Sequence, residues 1–377
     1  MFGFARLGSY DYFAHVQRAI ERCFDEAGED VVTHVADVLP TASIRTRAST
    51  LARLVSRTAA SDRGPIHMLG HSTGGLDARL VASPSVHLPI GPDEMGWLER
   101  LASVTTMNTP HYGTPLASFF ATVSGQRLLH ALSALTYIAL SVGAPPLAVV
   151  SALVVAVGRL DRAVGLELRV LDRATDALLG VLEPAQSREV RVFMEGIKQD
   201  QGAVIQLTPE AMDLFQAGVE DRPGVRYQST ASLAPAPTTR GLLRSALRPW
   251  QALSRTLFAS LYGLTARYDE RYPCAAPDAG ADAEAMLARA ADRSPGARVN
   301  DGVVPLRSQV WGRLIWAGVA DHLDVLGHFQ DDGAARDDGP HADWLASGSA
   351  FSRAQFDELM RVITRGMLAS HPRLAEG

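Results

Sequence analysis

Ser72 stands in Gly70-His71-Ser72-Thr73-Gly74, a spacing that suits a serine acting as a nucleophile. The short apolar run Ile66 to Leu69 reads as a buried strand that leads directly into Gly70. Leu76 to Ala82 takes up a helical pattern after the pair Gly74-Gly75. Strand, sharp turn, helix is the context in which G-x-S-x-G lifts a hydroxyl above a sheet. Glycine is expected at positions 70 and 74 for steric reasons, because side chains there would collide across so tight a turn. The Thr73 N–H then falls at a helix N-terminus, where a backbone donor can stabilise a developing oxyanion. Acyl transfer is the chemistry this arrangement suits.

A serine hydroxyl is a poor nucleophile until a base takes its proton, and that base must be oriented by a carboxylate. The chain supplies both late. Asn300-Asp301-Gly302-Val303-Val304 places an acid in a glycine-flanked turn, Arg313 to Ala317 reads as a strand, and Ala320-Asp321-His322-Leu323-Asp324 follows. Serine, acid, histidine is the chain order of an α/β hydrolase. On residue types alone, Asp321 and Asp324 compete with Asp301 for the acid role, and any of the 11 histidines could be a surface or core residue. His111, in the proline-bounded stretch Asn108 to Pro115, reads as a residue that shapes the turn after its strand.

The elements that must position these residues alternate in type. Tyr12 to Glu26 has helical spacing, Val31 to Val35 reads as a strand, and Ala48, Leu51, Leu54, Val55 and Thr58 form one face of a second helix. Ala102 to Met107 and Gly224 to Thr230 read as further strands, so a mostly parallel sheet flanked by helices is expected. From Leu116 to Gln186 the pattern is helical throughout, which implies an inserted cap. The expected organisation is a core of residues 1–116 and 187–377 with a helical lid over 117–186. Ala234 to Arg240 and Ala275 to Ala283 read as loops. Between them Arg240, Arg244 and Arg248 fall four apart opposite Leu243, Leu247 and Trp250, which reads as a solvated amphipathic helix and also suits an anionic membrane surface.

Composition narrows the partners. With 36 basic against 41 acidic residues, a net charge of −5 and a pI near 6.1, the chain lacks the footprint of a nucleic-acid binder. Lys198 is the single lysine, a compositional bias without functional content. Cys23 and Cys274 suit either one bridge or two reduced thiols. Ala131 to Gly158 carries no charge, but Pro145 and Pro146 break it into two pieces of about 13 residues, each roughly 20 Å long against a hydrocarbon core of about 30 Å. Two short apolar helices are expected there instead of a membrane span. Met1 to Tyr10 has no charged region followed by an apolar run, so the chain as written reads as cytoplasmic; a start further upstream would make it secreted.

Six stretches, in order along the chain, resemble the bacterial true lipases typified by the secreted triacylglycerol lipases of Pseudomonas and Burkholderia. They are Phe2 to Phe13, Leu69 to Gly75, Asn108 to Pro115, Leu207 to Ala211, Asn300 to Gly302 and His322 to Asp324. The resemblance implies an α/β-hydrolase fold in which Asp301 is the triad acid, His322 the base, and the apolar segment from Leu116 to Gly158 a lid over an acyl-binding cleft. It implies no cofactor for the chemistry, and it matches Asp324 to a structural calcium ligand, although His328 replaces a glutamine of the family. The family's second oxyanion donor follows a His-Gly pair and would fall on Met1; that pair and the first strand are absent here.

The expected function is carboxylic ester hydrolysis through an acyl-enzyme at Ser72, on lipids or small esters with apolar acyl chains, with transient contact between lid and lipid interface. Short-chain esters, thioesters and aliphatic polyesters remain open as substrates. An acyltransferase on the same triad and a membrane-associated binding protein without turnover are the alternatives.

Overall fold

The computed structural model describes residues 6–7, 10–60, 63–122, 199–238, 249–330 and 345–371, together with single positions between 125 and 197 and Asp343. Most of the expected lid over 117–186, Met1, and the arginine-bearing segment 240–248 lie outside the described residues.

A short antiparallel hairpin of β1 (Arg6–Leu7) and β2 (Tyr10–Asp11) precedes helix α1 (Ala14–Glu26). Helix α2 (Ile44–Thr58) is capped by Ser43, whose side chain accepts from Thr46 N–H. Strand β3 (Ile66–His71) runs into α3 (Thr73–Ala82), and β4 (Leu101–Met107) follows a 3-10 segment. Helices α4 (Pro115–Phe120), α5 (Gly202–Gln206) and α6 (Pro209–Gly218) precede β5 (Arg226–Leu233). Prolines open α4 and α6, where a missing N–H costs nothing, and Thr114 and Thr208 cap them. Helices α7 (Pro249–Thr265) and α8 (Ala281–Ala290), strand β6 (Arg313–Val319) and helix α9 (Arg353–Leu368) complete the described elements.

Strands β3, β4, β5 and β6 form one sheet in that order, every neighbouring pair parallel. Such strands are covered on both faces, and the core divides accordingly. Met68, Leu101 and Val104 pack with Ile44, Ala48 and Ala52 of α2 and with Leu76 and Val81 of α3. Met107 and Trp316 pack instead with Val16, Ile20 and Phe24 of α1 and with Phe356, Leu359, Met360 and Ile363 of α9. Val104 and Met107 lie an odd number of residues apart on β4, so the pleat sends them to opposite layers.

Two expectations need correction, and one left open is decided. Val31 to Val35 forms no strand: Val32 is 71% exposed and the segment alternates half-buried with exposed residues, a pattern that cannot fill a position covered on both faces. The loop expected over Ala275 to Ala283 ends early, because α8 begins at Ala281 and seats Ala283 and Leu287 against β5 and β6. Both cysteines are free thiols, Cys274 buried and Cys23 partly so. Among the described residues, no helix is long and apolar enough to cross a membrane.

Candidate active site

The fold joins Asp301 and His322 directly, whereas Ser72 makes no hydrogen bond to His322 Nε2 and is linked to the pair through its neighbour His71. Ser72 follows β3 with φ 54° and ψ −129°, a left-handed conformation that a residue with a side chain adopts only under constraint. Its N–H donates to Met107 O at 2.9 Å, which ties the turn to the end of β4. Helix α3 opens at Thr73, so the Thr73 N–H is one of the donors left without an intrahelical acceptor.

The glycines around the serine do not divide the work as expected. A Cβ at Gly70 would run into the backbone of Gly74 and Gly75, and one at Gly75 would lie 2.9 Å from Thr106 Cγ2 and equally close to Thr109 Cβ. A Cβ at Gly74 would meet nothing within 4 Å. Crowding at the turn therefore falls on Gly70 and Gly75, while Gly74 matters through its backbone.

His322 Nδ1–H donates to Asp301 Oδ2 at 2.8 Å, and both side chains are fully buried. The rest of the Asp301 carboxylate is also engaged. Oδ1 accepts Val303 N–H at 2.9 Å and Val304 N–H at 2.7 Å, and Oδ2 accepts Asn108 Nδ2 at 2.9 Å. Burying a carboxylate without such donors would cost several kcal/mol, so the Asn-Asp-Gly-Val-Val turn is what allows the charge to be buried. Gly302 makes that turn at φ 97°, and a Cβ on it would strike the Phe258 ring. The backbones are tied as well, His322 N–H donating to Asp301 O at 3.0 Å.

With Nδ1 committed as donor, His322 Nε2 carries a lone pair. That atom is buried and has no hydrogen-bond partner among the described residues. Burial lowers the His322 pKa below its ordinary value, against the opposing pull of Asp301. The resting imidazole is neutral and ready to accept a proton.

Two neighbours were not singled out in the sequence. His71 Nε2–H donates to His322 O at 2.9 Å and its ring packs on the His322 ring at 4.6 Å between centroids. Burial first, then the His322 charge, hold His71 well below the ordinary pKa, so it is neutral and does not compete for the proton. Asn108, at φ 48°, aims its amide at Asp301 Oδ2 and at Ser232 Oγ, the latter at 2.6 Å. The signal for Asn108 was available: an asparagine directly after a strand tolerates the left-handed backbone that points its side chain across the strand ends. His111 is structural, as expected. Its Nδ1 accepts from Arg79 at 3.2 Å and its Nε2–H donates to Thr106 Oγ1 at 3.0 Å, with both residues buried.

Asp321 and Asp324 flank His322 but face away from the Asp301 carboxylate. Asp321 Oδ1 accepts Leu323 N–H at 2.8 Å and Asp324 N–H at 3.1 Å, and its Oδ2 accepts Ser347 Oγ at 2.7 Å. Asp324 Oδ2 accepts Asp321 N–H at 2.8 Å and Ser349 Oγ at 2.6 Å. Burial, and then the Asp324 charge, raise the Asp321 pKa well above the ordinary range; burial pushes Asp324 up to about 7. Calcium takes six to eight oxygen ligands with free lone pairs. Here both Asp321 oxygens and Asp324 Oδ2 already serve protein donors, His328 Nε2–H bonds Tyr12 O at 3.3 Å, and among the described residues no group of three or more His, Cys, Asp or Glu side chains is arranged to hold a metal. The donor set around Asp324 does not fit calcium.

A parallel sheet, a serine on a strained turn between β3 and α3, an acid after β5 and a histidine after β6 appear in that order. The architecture is that of an α/β hydrolase. No family model matches the chain. A triacylglycerol lipase of Pseudomonas fragi is 29% identical over 120 residues, which is 31% of this chain and 34% of that protein, so the match spans about a third of the relative's length. Staphylococcus hyicus lipase superposes over 93% of this chain and 88% of its own at 15% identity and a TM-score of 0.46. Lipase 1 from Pelosinus fermentans does so over 97% and 96% at 14% identity and a TM-score of 0.49. At such values the fold assignment rests on this chain's own topology.

Proposed function

We propose that the protein is a carboxylic ester hydrolase in which Ser72 is the nucleophile, His322 the general base and Asp301 the residue that orients the imidazole. The observation that carries this reading is the buried His322–Asp301 pair with Nε2 left unpartnered, together with Ser72 on a strained turn directly after His71, whose ring packs on His322. In the reaction, Ser72 Oγ attacks the ester carbonyl carbon while Nε2 takes its proton. The tetrahedral oxyanion is received by the Thr73 N–H at the α3 N-terminus. The imidazolium, stabilised by Asp301, passes the proton to the leaving alcohol, and a water activated by the same imidazole releases the acid from the acyl-enzyme.

Asp301 accepts four hydrogen bonds, which fix its carboxylate in place against the imidazole it orients. Substrates with apolar acyl chains suit the uncharged run Ala131 to Gly158 and the lipase relative; burial of apolar surface is the main force that such a lid can offer. Lid contact with a lipid interface belongs to the same reading.

The test is hydrolysis of p-nitrophenyl esters from acetyl to palmitoyl by the wild type and by Ser72→Ala. A rate that peaks at medium or long chains in the wild type and disappears in the variant is the expected result. Undiminished hydrolysis by Ser72→Ala would remove the reading, and a preference for acetyl esters would remove its lipid part.

A further inference from the structure

We propose that Ser347 and Ser349 are positioning residues that hold the His322 turn in place without a bound calcium ion. The inference rests on the ester-hydrolase reading for its kinetic test and on geometry alone for the rest.

The turn that carries His322 is anchored from two sides. On the inner side Ala320 N–H donates to Leu233 O at 3.0 Å and His322 N–H to Asp301 O at 3.0 Å. On the outer side the anchors are the carboxylates of Asp321 and Asp324, each of which closes a loop onto backbone N–H groups of its own turn. Those residues are 1% and 2% exposed, so their oxygens must find hydrogen-bond donors within the protein. Ser347 and Ser349 supply two of these donors, with hydroxyl bonds of 2.7 and 2.6 Å.

The serines sit on a rigid support. Leu345 and Phe351, at either end of their segment, are 2% and 4% exposed, and Phe351 packs edge-on against Phe329 and Trp316. Ala346 N–H donates to Ser254 Oγ of α7 at 2.8 Å. Gly348, at φ 78°, turns the chain between the two serines, and the Ser347 hydroxyl also accepts Ser349 N–H. Two hydroxyls on one packed turn therefore supply hydrogen bonds to two adjacent buried carboxyl groups and a tie between the His322 turn and a separate part of the chain.

The experiment compares wild type, Ser349→Ala, Ser347→Ala/Ser349→Ala and Ser349→Thr. The wild type is exhaustively treated with a chelator and then titrated with calcium chloride while thermal unfolding is followed. Unchanged Tm on chelation and no gain with calcium are expected; a Tm that falls on chelation and returns with calcium would overturn the proposal. In the alanine variants kcat for a p-nitrophenyl ester should fall about 10- to 100-fold with KM within about twofold, because the imidazole is misplaced while the acyl cleft is untouched. The downfield proton resonance of the His322 Nδ1–H should broaden or shift, and Ser349→Thr, which keeps a hydroxyl, should recover both readouts. Alanine variants with wild-type kcat and an unmoved resonance would also overturn it. Should the wild type hydrolyse no ester, the functional reading fails by itself, while the unfolding and resonance arms still decide the role of the serines.

Discussion

Replacing the three glycines around Ser72 one at a time should give three different outcomes. At Gly74 a methyl group enters open space in the first turn of α3. Glycine costs a helix interior about 0.8–1.0 kcal/mol relative to alanine, so Gly74→Ala should be neutral or stabilising by up to about 1 kcal/mol. At Gly75 the methyl meets Thr106 and Thr109, which are buried side chains packed under the sheet end and not free to swing away. Overpacking of this kind costs about 1–3 kcal/mol. At Gly70 it meets backbone, so β3 and α3 must separate at the very turn that holds Ser72. Gly70→Ala should lose stability in the same range or beyond, and a displacement of the nucleophile approaching 1 Å should slow acylation about 100-fold. Urea unfolding measures the first quantity, and the rate of inactivation by a fluorophosphonate measures the second. If Gly74→Ala proved as damaging as Gly70→Ala, the reasoning from contact at the turn would be wrong.

Other outcomes follow from the same geometry. Acylation needs neutral His322, and its pKa is lowered by burial, so kcat/KM should hold at neutral pH and fall only as pH drops through a value below 6.5; an acid limb centred at 7 or above would contradict this. Asn108→Ala removes a hydrogen bond to a buried carboxylate and should cost about 1.5–3 kcal/mol in unfolding free energy and lower kcat, with unchanged kcat as the refuting result. His67, lowered to about 4 by burial and then by His371, binds fewer protons folded than unfolded between pH 4 and 6.5. Its contribution is present above 6.5 and lost as pH falls, by up to about 1.4 kcal/mol per unit. Urea unfolding from pH 7 to 4 should therefore show a shallower loss in His67→Gln than in the wild type.

Much of this site was legible because its parts are local. Gly70 to Gly74 carries its own strand and helix, and Asn300 to Val304 carries the turn that satisfies Asp301 through Val303 and Val304 N–H. What spacing could not deliver were contacts made only by the fold. Asn108 reaches Asp301 across 193 positions and His71 reaches His322 across 251, so even where the position of Asn108 after a strand could be noticed, neither partner could be read from its own stretch. Val31 to Val35 shows the opposite failure, since β-branched residues satisfy a strand pattern whether or not a neighbouring strand exists to pair with. The serines at 347 and 349 lay in a stretch with no apolar periodicity, where nothing marks a hydroxyl as a partner for carboxylates more than twenty positions earlier.

The account stands most directly on covalent labelling. The wild type, treated with a fluorophosphonate and digested, should carry one added group on the peptide containing Ser72, with labelling abolished in Ser72→Ala and slowed at least about 1,000-fold in His322→Ala. Labelling at another residue, or a Ser72→Ala protein that labels as fast as the wild type, would contradict the assignment of Ser72 as nucleophile.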